Sequence, residues 1–303
     1  MLQRKVLVIG ATGLLGGKVV KELLQKGHRV RALVRLGTEA SHLQAQGVEI
    51  VRGDITEYET LLPAMRDIDV VITTANGYSH RKKADSLENT DDKGNRNLVD
   101  AAKQMQIKLF VFTSILTAEK AKSVPHFYQK SVTEDYIEKS GVPFVSLRPG
   151  GFVDTLLGFS LKDIKNGKFR AMADADAPAS TIHSDDVARY LVLAIETPEA
   201  VGHRIDLGTE QPTNLREIAN LLSEITGQKV QLQTIPPLVK TILFKFMAVI
   251  NPMFRGTDKA MEYVSSGKYV ADTTLQRRLF ADVPSLRDSI KRWANQNGLA
   301  ATR

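Results

Sequence analysis

The sequence predicts an α/β fold: a doubly wound parallel Rossmann sheet followed by a smaller C-terminal α/β lobe. Three observations predict it. Short β-branched runs alternate with helical spacings through the first half, as parallel βαβ units require. A glycine-rich turn, Gly10-Ala11-Thr12-Gly13-Leu14-Leu15-Gly16, joins the first strand to the first helix. The alternation then breaks after Arg148-Pro149-Gly150.

Taken in order, Lys5–Ile9 reads as a strand, Gly16–Gly27 as a helix and Arg29–Val34 as a strand. Further strands fit Val48–Arg52, Val70–Thr73, Leu109–Thr113 and Phe144–Leu147. Glu59–Arg66, Gly94–Gln104 and Gln129–Ser140 carry helical spacing between them. Beyond residue 150, Ser184–Glu196 and Leu215–Thr226 read as helices, and Arg204–Leu207 and Val230–Thr234 as strands. The expected domains are 1–150, a dinucleotide-binding Rossmann domain, and 151–303. Within the second, residues around 180–210 complete the sheet, while 151–180 and 211–303 build the smaller substrate lobe.

Composition narrows the function classes. Cysteine is absent, which excludes disulfides, thiolate metal sites and cysteine nucleophiles. The net charge of +7 comes from 41 Lys and Arg against 34 Asp and Glu, and the excess is scattered. Its densest run, His80-Arg81-Lys82-Lys83, reads as a solvated loop, so no nucleic-acid partner is expected. Histidines lack ligand spacing, and no metal is expected. Leu238–Ile250 is apolar but carries Lys240 and Lys245 between prolines and is too short to span a bilayer. The expectation is a helix over a substrate cleft between the lobes or at a subunit contact, giving an oligomer through the C-terminal lobe. The first apolar run, Val6–Ile9, is short and leads into the glycine turn. No signal peptide is expected, and a cytoplasmic location follows as the expectation.

The chemistry begins at Gly10, Thr12, Gly13, Leu14, Leu15 and Gly16. Glycines here permit a tight turn and let a pyrophosphate approach the backbone, while the helix N-terminus offers N–H groups and partial positive charge. The spacing is G-x-x-G-x-x-G rather than the commoner G-x-G-x-x-G. An NAD site places an acid about 20 residues further on, against the ribose 2′-hydroxyl. Here no acid follows until Glu39, and Arg35 stands at the end of the second strand. A guanidinium fork suits a 2′-phosphate, so the expected cofactor is NADPH.

These features and several ordered motifs resemble the atypical short-chain dehydrogenases of the NmrA-like family, close to its extended, epimerase-like branch. The resemblance runs through about residue 235. Its motifs are GATGLLG at 10–16, VRALVR at 30–35, GDI at 53–55, TTANG at 73–77, GNRNLVDAA at 94–102 and FVFTS at 110–114. SGVPFVSLRPGGFVD at 140–154 and IHSDDVA at 182–188 complete them. The resemblance implies that Asp54 and Ile55 flank the adenine and that Ala75, Asn76 and Gly77 run beside the pyrophosphate and ribose. It places Ser114 near the nicotinamide and Pro149, Gly150, Gly151 and Phe152 over its face. In the resembling families, the stretch holding His183, Asp185 and Asp186 docks a helix against the sheet.

One departure matters. Enzymes of this superfamily carry Tyr-x-x-x-Lys on the helix after the fifth strand, where positions i and i+4 share a face. This chain keeps Lys130, but His126 stands four residues before it, and Tyr128 falls on the opposite face. A literal match at Tyr78-Ser79-His80-Arg81-Lys82 follows the fourth strand, where a loop is expected. Lys130 is therefore expected to bind the nicotinamide ribose, with His126 as the alternative proton donor or as a surface histidine. The expected function is an NADPH-dependent reductase of a small molecule such as an enone, quinone, aldehyde or sugar derivative. The alternative is a non-catalytic NADPH sensor or assembly factor, which the missing tyrosine favours. Sugar-nucleotide epimerisation is disfavoured, because it needs a proton-transfer partner that the helix lacks.

Overall fold

In the computed structural model of the protein, residues 3–77, 85–171, 173–235, 239, 246, 249 and 256–301 are described. The strands β1 (Lys5–Ile9), β2 (Arg29–Val34), β3 (Glu49–Arg52), β4 (Val70–Thr73), β5 (Leu109–Thr113) and β6 (Phe144–Pro149) come first in the chain. They are followed by β7 (Gly151–Phe152), β8 (Lys168–Ala171), β9 (Thr181–Ile182), β10 (Arg204–Leu207) and β11 (Gln231–Thr234). A seven-stranded sheet runs in the order β10-β6-β5-β4-β1-β2-β3, and the pairs from β6 to β3 are all parallel. This is the α/β Rossmann arrangement that the alternation predicts. Order reverses between β1 and β4, the point at which open parallel sheets leave a crevice beyond their carboxyl ends.

Two compact units divide the chain. The first comprises residues 1–119, 126–148 and 185–205; the second, residues 120–125, 149–184 and 206–303. In the first, Val6, Leu7 and Val8 of β1 are wholly buried, as a strand covered on both faces requires. Leu7, Leu33, Val71, Phe110 and Phe112 of the sheet share a core with Leu98 and Val99 of α4 (Asn95–Gln104) and Ile137 of α5 (Pro125–Ser140), two helices among those following α1 (Leu14–Gln25), α2 (Ser41–Gln44) and α3 (Leu61–Met65).

The second unit has a separate core. Val153 and Leu157 of α6 (Val153–Phe159), Ile164 of α7 (Leu161–Lys165) and Phe169 of β8 belong to it. Ile218 and Leu222 of the later helix Leu215–Thr226 and Trp293 complete it. Leu215–Thr226 starts where Asn214 accepts from the Glu217 N–H at 2.9 Å and stops at Gly227, whose φ of +65° ends the helix. β8 pairs in parallel with β11; the sequence reading found β11 but not β8, because Lys168–Ala171 is short and half polar.

Several bounds differ from those expected. The stretch 59–66 splits into a 3₁₀ turn, Tyr58–Thr60, and the short α3, because Pro63 limits the helix. A π-helical stretch, Leu87–Gly94, precedes α4 and had no signal in the sequence. Helix α5 begins at Pro125 rather than 129, with proline in its favoured first-turn position. His126 and Lys130 therefore lie on one helix, one turn apart. Of Leu238–Ile250, only Val239, Phe246 and Val249 are described; each is helical and exposed. The rest of that segment, and Tyr78–Lys82 with its literal motif, lie outside the described residues. No helix among the described residues is long and apolar enough to cross a membrane.

Candidate functional site

The loop after β1 is shaped by close approach. Gly10 has φ +85°, and a Cβ there would stand 2.6 Å from Thr74 Oγ1. A Cβ on Gly16 would stand 2.1 Å from the Gly10 carbonyl oxygen, so that site admits only glycine. The Gly13 N–H donates to the Gly10 carbonyl at 2.8 Å and closes the turn. Gly13 then caps α1 without a side-chain acceptor, and the first turn of α1 has no acid. An N-terminus of this kind carries partial positive charge toward an anion. Thr12 is half-buried, Leu14 exposed and Leu15 buried.

At the end of β2, Arg35 Nη1 donates to Asp85 Oδ1 at 2.5 Å. Arg52, which sequence reasoning missed, donates to the carbonyls of Arg35 at 3.2 Å and Thr38 at 2.8 Å. Beyond β3, Asp54 Oδ1 accepts from both the N–H and the hydroxyl of Thr56, each at 2.9 Å. Ile55 is buried, and its carbonyl accepts from Asn97 at 2.9 Å.

Beyond β4 lie Ala75, Asn76 and Gly77, of which Ala75 meets α5. Lys130 Nζ donates to the Ala75 carbonyl at 3.3 Å and lies 3.4 Å from Asp91 Oδ1. Asp91 Oδ2 accepts from the Gly77 N–H at 2.8 Å. Lys130 also lies 4.9 Å from the centre of the Phe112 ring, a cation–π contact. Asp91 comes from the π-helical stretch, a feature that recurs at functional sites. It was missed because ENTDDKG has no periodicity; the paired acids just before GNRNLVDAA were the only hint.

Ser114 follows β5, and its N–H donates to Leu147 at 2.8 Å. Its Oγ is buried without a hydrogen-bond partner among the described residues. A buried hydroxyl left in this state costs about 1–3 kcal/mol unless something donates to it or accepts from it. The glycine cradle and this orphaned hydroxyl are what a dinucleotide's pyrophosphate and a polar ring substituent would satisfy.

His126 shares the inner face of α5 with Lys130. Burial, reinforced by the Lys130 charge, pushes its imidazole down to about 4. The ring is then neutral near pH 7. Its ring meets Phe127 edge-on at 4.8 Å. Tyr128 is exposed, as the helical spacing requires.

Helix α5 is fixed by a second feature that the sequence did not disclose. Glu134, wholly buried, accepts from Arg148 Nε at 2.8 Å and Nη2 at 2.6 Å, and from the Ser146 hydroxyl at 2.6 Å. Arg148 reaches Glu119 as well, at 3.0 Å. These bonds tie α5 to β6.

Pro149, Gly150, Gly151 and Phe152 belong to the second unit. There the Gly150 N–H donates to Leu207 at 2.8 Å, and a Cβ on Gly150 would meet the Ser180 carbonyl at 2.4 Å. In that unit too, His183 is wholly buried and the Ser184 N–H donates to Asp154 at 2.9 Å. In the first unit, Lys18 of α1 pairs with Asp185 of the helix Ser184–Glu196 at 2.6 Å.

Comparison with known proteins places this arrangement. The model of the NmrA-like family matches residues 3–282. The photosystem II assembly factor Ycf39 of Cyanophora paradoxa is 32% identical over 231 residues, 76% of this chain and 71% of that protein. Among solved structures, the triphenylmethane reductase of Citrobacter sp. superposes with a TM-score of 0.81 at 23% identity, covering 96% of this chain and 99% of the other. The NADPH complex of the quinone oxidoreductase QOR2 of Escherichia coli gives 0.78 at 21% identity, covering 95% and 99%. At these identities the two structures establish a shared fold.

Proposed function

The chain belongs to the NmrA-like family, and from that premise we propose that it binds NADPH along the carboxyl edge of its seven-stranded sheet and reduces a small organic acceptor. The observation that carries this reading is the glycine cradle, where Gly16 leaves no room for a Cβ against Gly10 and α1 presents an N-terminus without an acid. In this reading the backbone from Gly10 to Gly16 holds the pyrophosphate, and Arg35 takes the 2′-phosphate. Asp54 and Ile55 border the adenine, and Ala75, Asn76 and Gly77 line the path to the nicotinamide ribose. Lys130 donates to the ribose hydroxyls, oriented by Asp91 and the Ala75 carbonyl. The Ser114 hydroxyl, buried without a partner among the described residues, bonds the nicotinamide or the acceptor.

NADPH supplies a hydride; the chain's residues position it. An acceptor that leaves a stable anion after taking hydride, such as a quinone or an enone, draws its proton from water and needs no tyrosine. That matches a helix in which the tyrosine position holds a neutral His126. The likeness to QOR2, an NADPH-dependent quinone oxidoreductase, supports this class of acceptor. A turnover screen of NADPH oxidation against quinones, enones and aldehydes tests it: saturable turnover with one class is the expected result.

A second reading has its own support. The same His126 substitution, together with the likeness to an assembly factor, favours a protein that holds NADPH without turning it over. Tight NADPH binding with no oxidation across the screen would select it.

A further inference from the structure

We propose that Asp85 is a specificity-determining residue for the cofactor, an internal anion that competes with the 2′-phosphate for Arg35. This rests on the NADPH reading and deepens it. Arg35 Nη1 already donates to Asp85 Oδ1 at 2.5 Å. The Asp85 side chain is only 8% exposed, whereas that of Arg35 is 30% exposed. The pair is buried on its carboxylate side, which favours keeping it closed.

The backbone beside each partner is held in place. Ser86, the next residue, accepts from the Asn89 N–H at 3.0 Å and so caps the π-helical stretch. The Ser86 carbonyl packs so tightly on Gly77 that a Cβ there would stand 2.2 Å away. On the other side, Arg52 pins the backbone of Arg35 and Thr38. The guanidinium thus meets the cofactor with one end engaged and its charge partly cancelled. A 2′-phosphate must share it with a fixed carboxylate, and like charges sharing a site repel. A ribose 2′-hydroxyl carries no charge and escapes that penalty. Asp85 therefore narrows the gap between NADPH and NADH that Arg35 alone would open.

Titration of both cofactors against the full-length chain, its Asp85→Asn and Arg35→Ala variants and the double variant tests this. Asp85→Asn is expected to tighten NADPH by about tenfold and to leave NADH within about twofold. In the Arg35→Ala background the same change is expected to tighten NADPH by less, because only the direct repulsion between the carboxylate and the 2′-phosphate is then relieved. Asp85→Ser removes the same charge and serves if the asparagine variant does not fold. NADPH binding that stays the same or weakens in Asp85→Asn, or shifts equally with NADH, overturns the proposal. If Arg35→Ala weakens NADPH while Asp85→Asn does nothing, only this inference fails. If Arg35→Ala leaves NADPH untouched, the cofactor reading falls with it.

Discussion

Lys130 Nζ lies 3.4 Å from Asp91 Oδ1, and both side chains are buried. The pair joins α5 to the π-helical stretch, and the other oxygen of Asp91 holds the Gly77 N–H at 2.8 Å. One carboxylate thus sets both the lysine and the loop after β4. An ammonium held in this way keeps donor capacity for a ligand while its charge is balanced.

Lys130→Ala is expected to weaken NADPH binding by about 1.5–3 kcal/mol, the range for hydrogen bonds to a charged group. Asp91→Asn should move the same affinity in the same direction by a smaller amount, because it leaves the ammonium in place but loosens its aim. Fluorescence titration of bound NADPH reads both. A Lys130→Ala protein binding as tightly as the unaltered chain would mean that α5 does not serve the cofactor.

The Glu134–Arg148 pair makes a stability prediction. Removing one partner of a buried, bidentate ion pair costs about 3–5 kcal/mol. Arg148 keeps Glu119 at 3.0 Å, so Glu134→Ala should fall toward the lower end of that range. Urea denaturation checks it through the midpoint. A loss below about 1 kcal/mol would show that Arg148 finds other partners or water once Glu134 is gone.

His126 makes the pH dependence specific. Burial first, and then the Lys130 charge, lowers its pKa from 6.5 to about 4. Between those values the unfolded chain takes up a proton that the folded chain refuses. The contribution of this residue to stability is complete above pH 6.5 and is lost as pH falls toward 4. His126→Gln should flatten this part of the stability profile while sparing NADPH binding. An unchanged slope between pH 6.5 and 4 would place the imidazole in water.

What the sequence disclosed and what it withheld follow from range. Gly10, Gly13 and Gly16 were legible because their constraint is local: a turn and a helix start within seven residues. The position of Arg35 at the end of β2 was legible, because the strand's pattern runs up to it. Its partner Asp85 was not, because 50 residues separate them and nothing near Asp85 signals burial. Asp91 stayed hidden for a related reason, since a π-helical stretch leaves no 3.6-residue period to read. Glu134 and Arg148 belong to different elements, and only the packing of β6 against α5 brings them together. The neutral state of His126 depends on burial, which a single sequence position does not reveal.

The central claim is NADPH recognition through Arg35, and paired titrations of NADPH and NADH with the unaltered chain and Arg35→Ala test it most directly. The account predicts saturable binding with NADPH preferred, and a loss of roughly tenfold or more for NADPH in the variant, equivalent to about 1.4 kcal/mol or above. NADH affinity should stay nearly constant. Equal losses for both cofactors, or no binding of either by the unaltered chain, would contradict it.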